Sequence, residues 1–127
     1  MTRTGIGRSA ARLALALAAA LAAAALAGAQ GMANGTRAEL RGLDRVSGLT
    51  TDLTLDVGAR ATYARLEIAL VACRYPADNP NAEAFAFLEI TDTVRGERLF
   101  RGWMVASAPA LNALDHPRYD VWVLSCR

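Results

Sequence analysis

The sequence predicts an all-β fold, a small antiparallel β-sandwich or barrel of about six strands, with one short helix near residues 108–115. Three observations carry that expectation. Residues 51–57, TDLTLDV, set Leu53, Leu55 and Val57 against Asp52, Thr54 and Asp56, the period of two that a half-buried strand requires. Short segments of this kind are separated by clusters of Gly, Pro, Asn and Asp, which mark turns. No strand-like segment is followed by a long helical pattern, which excludes a doubly wound parallel sheet.

The first element lies outside that domain. Arg3, Arg8 and Arg12 precede an apolar run, LALALAAALAAAALA, at 13–27, and Ala27-Gly28-Ala29 supplies small residues at −3 and −1. Basic start, apolar middle and A-x-A end predict a cleavable signal peptide over 1–29, cut after Ala29. The run is shorter than the roughly 20 apolar residues that span a bilayer, so no stable membrane insertion is expected after cleavage. No cysteine follows the cut and no adjacent Arg pair marks the twin-arginine route. All 14 basic residues are arginine, against 12 Asp and Glu. Three of them lie within 1–29, which leaves 14 − 3 = 11 against 12, a net charge of −1 for the remainder. A near-neutral domain lacks the basic footprint of a nucleic-acid binder.

Residues 30–37, QGMANGTR, read as a flexible lead-in, and 38–127 as a single β domain. Residues 38–46 are a weak strand because Gly42 interrupts the alternation, and Ser47-Gly48 is a turn. After 51–57, Gly58-Ala59-Arg60 forms the next turn. Residues 63–73, YARLEIALVAC, put Leu66, Ile68, Leu70 and Ala72 on one face and Cys73 on the other; the second half is apolar on both sides, as in a central strand. Residues 74–83, RYPADNPNAE, are a surface loop by composition. Residues 85–93 and 99–105 are two strands joined by the hairpin connection 94–97. Ser107 as N-cap and Pro109 near N1 open the short helix, which Ala110, Leu111, Ala113 and Leu114 continue and Asp115-His116-Pro117 ends. The last strand, 119–126, sets Asp120, Trp122, Leu124 and Cys126 against Tyr119, Val121, Val123 and Ser125.

The chemistry-bearing residues are few. Two cysteines in an exported chain leave one intramolecular pairing, Cys73 with Cys126, which ties the central strand to the terminal one. A thiol oxidoreductase using Cys73 and Cys126 is the rival, but the C-x-x-C spacing is absent. His116, the single histidine, has Asp120 and Ser107 nearby in sequence, which makes these three weak candidates for a small hydrolase or transferase. No serine sits in a G-x-S-x-G elbow. A structural role suits His116 better, its ring bonding a backbone carbonyl or capping the helix end. One histidine and two oxidised cysteines are too few for a metal site, so neither metal nor other cofactor is expected. FAFL at 85–88 and FRGWMV at 100–105 carry apolar residues on both faces, so one face is a candidate contact surface. Trp103, Phe100, Arg98 and Arg101 are its expected binding residues, since arginine stacks on exposed rings.

The segments LRGLDRVSG (40–48), RLEI…C (65–73), FLEI (87–90), LFRGWMVASAPAL (99–111) and HPRYDVWVLSC (116–126) resemble those of a family of small exported Gram-negative proteins catalogued as a domain of unknown function. The resemblance covers about Ala38 to Cys126 and implies an envelope, periplasmic location; it brings no activity or functional residues with it. The resulting expectation is a non-enzymatic periplasmic binding or scaffolding domain that meets an envelope protein through its aromatic and arginine face.

Overall fold

The computed structural model describes residues 6–27 and 31–127. The chain divides into two compact units, the second being Met32–Arg127. In the first, Ile6–Ala27 form α1, a run dominated by the strong helix formers Ala and Leu. Among the described residues no helix is long and apolar enough to cross a membrane. The expected cut after Ala29 lies outside the described residues.

The second unit is a sandwich of two antiparallel sheets. Its strands are β1 (Met32–Asn34), β2 (Arg37–Asp44), β3 (Thr50–Asp56), β4 (Arg60–Tyr63), β5 (Leu66–Pro76), β6 (Phe85–Asp92), β7 (Glu97–Val105) and β8 (Tyr119–Cys126). One sheet runs β1-β5-β6-β7, with β4 beside β1 along the same edge of β5; the other runs β3-β2-β8. The two strands beyond the expected six come from segments that read as lead-in or turn, save that Tyr63, expected to open the 63–73 strand, instead closes β4 while β5 begins at Leu66. Met32–Asn34, within the expected lead-in, pairs with residues 74–76 of β5, which extends through Pro76 into the expected surface loop. Residues 60–63 form a hairpin with β5 across Ala64 and Arg65, where Ala64 takes the positive φ of 51° that a two-residue hairpin turn demands. An eleven-residue strand presents more backbone donors and acceptors than one neighbour can satisfy, and two short strands take up its second edge.

Bulges redistribute the faces. The register of β5 on β6 shifts between Leu70 and Ala72, so Val71 is the extra residue and is 47% exposed. Beyond it the alternation inverts, and Cys73 joins Leu66, Ile68 and Leu70 inside rather than facing away from them. In β8 the same occurs at Leu124, since Ser125 stands opposite Glu39 and Val123 opposite Leu40. Cys126 therefore shares the interior with Tyr119, Val121 and Val123, not the outer face with Asp120 and Trp122. The two bulges bring both sulfurs between the sheets. Cys73 and Cys126 are bonded, their Cα atoms 5.9 Å apart and their side chains 2% and 1% exposed.

The expected helix at 108–115 is a single 3₁₀ turn, Pro109–Leu111. Ser107 does not cap it, because its N–H and hydroxyl both bond the Glu83 carboxylate. Of the apolar residues there only Leu114 is buried, so no apolar face exists to stabilise further turns.

The core between the sheets contains Leu40 and Leu55 from one and Leu66, Ile68, Leu70, Leu88, Ile90 and Met104 from the other, with Val121 and Val123 of β8. Each such side chain contributes about 1.5–3 kcal/mol by burial. Gly42, which weakened the sequence pattern, is a packing requirement: a Cβ there would stand 2.6 Å from the Tyr63 ring, which in turn meets Tyr119 edge-on at 5.7 Å. Gly42→Ala is expected to destabilise the fold by about 1–3 kcal/mol, the range for overpacking a filled core, as read from the urea midpoint. A wild-type midpoint would contradict the close packing of Tyr63 on β2.

Candidate functional site

The two sheets turn different outer faces to solvent. That of β3-β2-β8 is covered by cross-strand polar pairs: Arg37 with Asp56 at 2.8 Å, Arg41 with Asp52 through two bonds of 2.6 and 2.9 Å, and Thr54 donating to Glu39. That of the larger sheet is aromatic. Register places Phe87 opposite Trp103, Phe85 opposite Val105 and Glu89 opposite Arg101. The Phe87 and Trp103 rings meet edge to face with centroids 5.3 Å apart. Arg101 lies over Phe87 at 5.8 Å while bonding Glu89, and Arg74 of β5 lies over Trp103 at 5.2 Å. Met32, Arg74, Phe85 and Trp103 line an open groove of about 220 Å³, with Met32 48% exposed.

Of the sequence-predicted binding residues, Trp103 and Arg101 stand on this face. Phe100 does not: it pairs with Ile90, is 8% exposed and belongs to the core. Arg98 is exposed beside Thr91 at the hairpin end of β7, beyond the Leu99 bulge and away from Trp103. Sequence reasoning missed Met32 and Arg74, because both lie in segments whose composition reads as loop. The signal that could have found Arg74 is its place directly after Cys73, which bridging holds in a strand.

The residues considered for catalysis are not brought together. Ser107 bonds Glu83. Asp120 accepts from its neighbour Val121 N–H and pairs with Arg45 at 3.5 Å. His116 Nδ1 accepts the N–H groups of Arg118 and Tyr119, both at 3.0 Å. This is a structural role of the opposite polarity to the one expected, since the ring accepts from the backbone. With Nδ1 accepting two backbone N–H groups, its lone pair is not free to act as a base. Pro117 has no N–H, so the histidine satisfies the first two donors that follow it. Among the described residues no three His, Cys, Asp or Glu side chains are gathered as metal ligands.

Two aspartates form a repeated device that sequence reasoning also missed. In Asp44-Arg45-Val46-Ser47-Gly48, Asp44 Oδ1 accepts the Val46 and Ser47 N–H groups and its carbonyl accepts Gly48 N–H. In Asp92-Thr93-Val94-Arg95-Gly96, Asp92 does the same for Val94, Arg95 and Gly96. Both glycines have positive φ, 74° and 67°. Each carboxylate also binds a distant arginine, Arg118 on Asp44 at 2.9 Å and Arg65 on Asp92 at 2.9 Å. The shared D-x-V-x-G spacing is the sequence signal. The Arg118 guanidinium, helped by the turn N–H groups, lowers Asp44 to about 2 against the cost of desolvation. Burial pushes Asp92 upward, but its two turn N–H groups and Arg65 outweigh that, and the carboxyl ends below its ordinary value.

These features define a small disulfide-closed β-sandwich with one aromatic outer face. The chain belongs to the bacterial family described as "Uncharacterized protein conserved in bacteria (DUF2155)", whose match covers residues 38–126. It is similar to the Rickettsia prowazekii (strain Madrid E) protein named "Uncharacterized protein RP359", with 26% identity over 96 residues. That match takes in 73% of this chain and 62% of the relative, so the chain spans less than two thirds of the relative's length. No solved structure matches.

The two aspartates make a pH prediction. Both are held below the unfolded carboxylate value of about 3.9, so the unfolded chain binds their protons first as pH falls. Their contribution is full above about pH 5 and is lost as pH falls through the carboxylate range, for Asp44 down to about 2. Asp44→Asn and Asp92→Asn are expected to flatten the fall of the urea midpoint over that window. An unchanged acid limb in both variants would show that the turn carboxylates do not control it.

Proposed function

We propose that the protein is exported to the periplasm, where its β domain acts as a non-enzymatic binding or scaffolding module that contacts an envelope protein through the outer face of the larger sheet. The single observation that carries this reading is the contrast between the faces: one sets ion pairs beside a lone half-buried Trp122, the other clusters Phe85, Phe87, Trp103, Val105 and Met32 with two arginines over the rings. Contiguous apolar surface rimmed by charge is the ordinary mark of a contact site, and Trp and Arg dominate interface energetics. Export is supported by the basic, apolar and small-residue order of residues 1–29 and by the cystine, which persists in oxidising compartments. No observation favours a hydrolase built on His116, whose Nδ1 is committed to the backbone.

The test is in-cell photo-crosslinking from benzoylphenylalanine placed at Val105, on the aromatic face, or at Thr54, on the opposite one. The reading expects a protein adduct from Val105 only, reduced about tenfold by Trp103→Ala. Equal adducts from both positions, or indifference to Trp103→Ala, would overturn it. A second measurement addresses the oxidoreductase alternative. Native protein prepared without reductant should take up no maleimide, and labelling of Cys73 or Cys126 would restore thiol chemistry as an option.

A further inference from the structure

We infer that the groove lined by Met32, Arg74, Phe85 and Trp103 receives a peptide segment carrying one large apolar side chain beside a carboxylate, the side chain in the groove and the carboxylate on Arg74. This rests on the reading of the larger sheet's outer face as a contact surface and specifies the chemistry of what it contacts.

Size comes first. At about 220 Å³ the groove is smaller than the roughly 300–1,000 Å³ of sites that enclose whole small molecules. It suits a single anchoring side chain, the arrangement in which protein interfaces concentrate their energy. Its walls match that use, with Met32 and Phe85 apolar and Trp103 offering a ring face.

Charge then narrows the occupant. Arg37, Arg41, Arg45, Arg60, Arg65, Arg101 and Arg118 each have a carboxylate partner. Arg74 has none among the described residues. Its guanidinium is placed by the Trp103 ring, and the two outward acids of this sheet, Glu67 and Glu89, are taken by Arg60 at 2.7 Å and Arg101 at 3.0 Å. A planar guanidinium held on an aromatic ring keeps its donors free for a carboxylate, which it binds in bidentate geometry. The groove therefore combines an apolar slot with one uncompensated positive charge at its rim. A lipid surface would call for several such charges, whereas Arg101, the other cation stacked on this face, is already neutralised.

The experiment uses the oxidised protein as exported by an expressing bacterium, isotope-labelled, with the Trp103 indole N–H and the Met32 methyl as NMR reporters. The probes are acetylated, amidated hexapeptides containing Phe-Glu or Glu-Phe, their Gln counterparts, and a soluble N-acetylhexosamine oligosaccharide. At least one Glu peptide is expected to shift both reporters and to bind about tenfold more tightly than its Gln counterpart. In Arg74→Gln, an exposed substitution whose fold is checked by thermal unfolding, the two should become equal. Equal binding of Glu and Gln peptides to the native protein would overturn the inference. So would shifts only in the oligosaccharide arm, or no shift by any peptide at about 5 mM, a weak limit even for a single anchor. Should the Val105 adduct still depend on Trp103 while Arg74→Gln changes nothing, the contact face would stand and the carboxylate chemistry alone would fall.

Discussion

The bond between Cys73 and Cys126 is the constraint on which the rest of the sandwich turns. It joins β5 of one sheet to β8 of the other, across a sequence separation of 53. In the chain-entropy account a closure of that length is worth about 4 kcal/mol, against about 5–15 kcal/mol for a whole domain. Its geometric consequences are as large. Both sulfurs must lie inside, so both strands bulge just before their cysteines, at Val71 and Leu124. The chain also crosses from the first sheet to the second at this corner. Gly35 donates to the Cys73 carbonyl at 2.7 Å, and the Arg127 carbonyl accepts from Thr36 and Arg37. A Cβ at Gly35 would stand 3.1 Å from the Cys73 sulfur and 2.9 Å from the Arg127 carbonyl oxygen. The C-terminus is therefore fixed by a covalent bond and by the backbone of a distant strand at once.

How much of this was legible in the sequence depended on where the period of two holds. In β6 it runs unbroken, and Ala86, Leu88 and Ile90 are buried against partly exposed Phe85, Phe87 and Glu89. A bulge adds one residue and inverts every face beyond it, which composition does not announce. That is why both cysteines were assigned the wrong faces although their pairing was evident. Phe100 is a different case. Its position differs from that of Trp103 by three, an odd number, so strict alternation already separates the two, and grouping them by aromatic character alone hid this. Met32 and Arg74 were lost for a third reason: short edge pairing is a tertiary event, set by an unsatisfied strand edge rather than by the residues that fill it.

Charge placement links the fold to the face. Arginine is the chain's only basic residue besides His116, and among the described residues seven arginines pair with carboxylates. Most of the pairs are solvent-exposed and worth about 0–1 kcal/mol each, so stability does not explain them well. Position does. Two cover the outer face of the smaller sheet, Arg60 and Glu67 join β4 to β5, and others anchor the turns at Asp44 and Asp92, whose carboxylates hold the hairpins through backbone N–H groups. Arg101 and Glu89 close the same kind of pair at the border of the aromatic patch, and beyond that border the pairing stops.

An unpaired arginine on a tryptophan acquires meaning only if the surface beneath it is rigid. Here the face is carried by β5, β6 and β7, whose inner side is buried by Leu70, Leu88, Ile90 and Met104, and β5 is covalently tied to the opposite sheet. Trp103 is held further by Asn112, whose side-chain amide donates to its carbonyl at 3.0 Å, and by the edge-on Phe87 ring. A partner meeting this face would therefore order little of the protein in doing so. Preorganisation lowers the entropic cost of association, which is what allows a groove of one side chain's size to contribute usefully to binding. The cystine, the bulges and the paired charges thus converge on one physical result, a rigid aromatic surface whose groove carries a guanidinium with no carboxylate partner among the described residues.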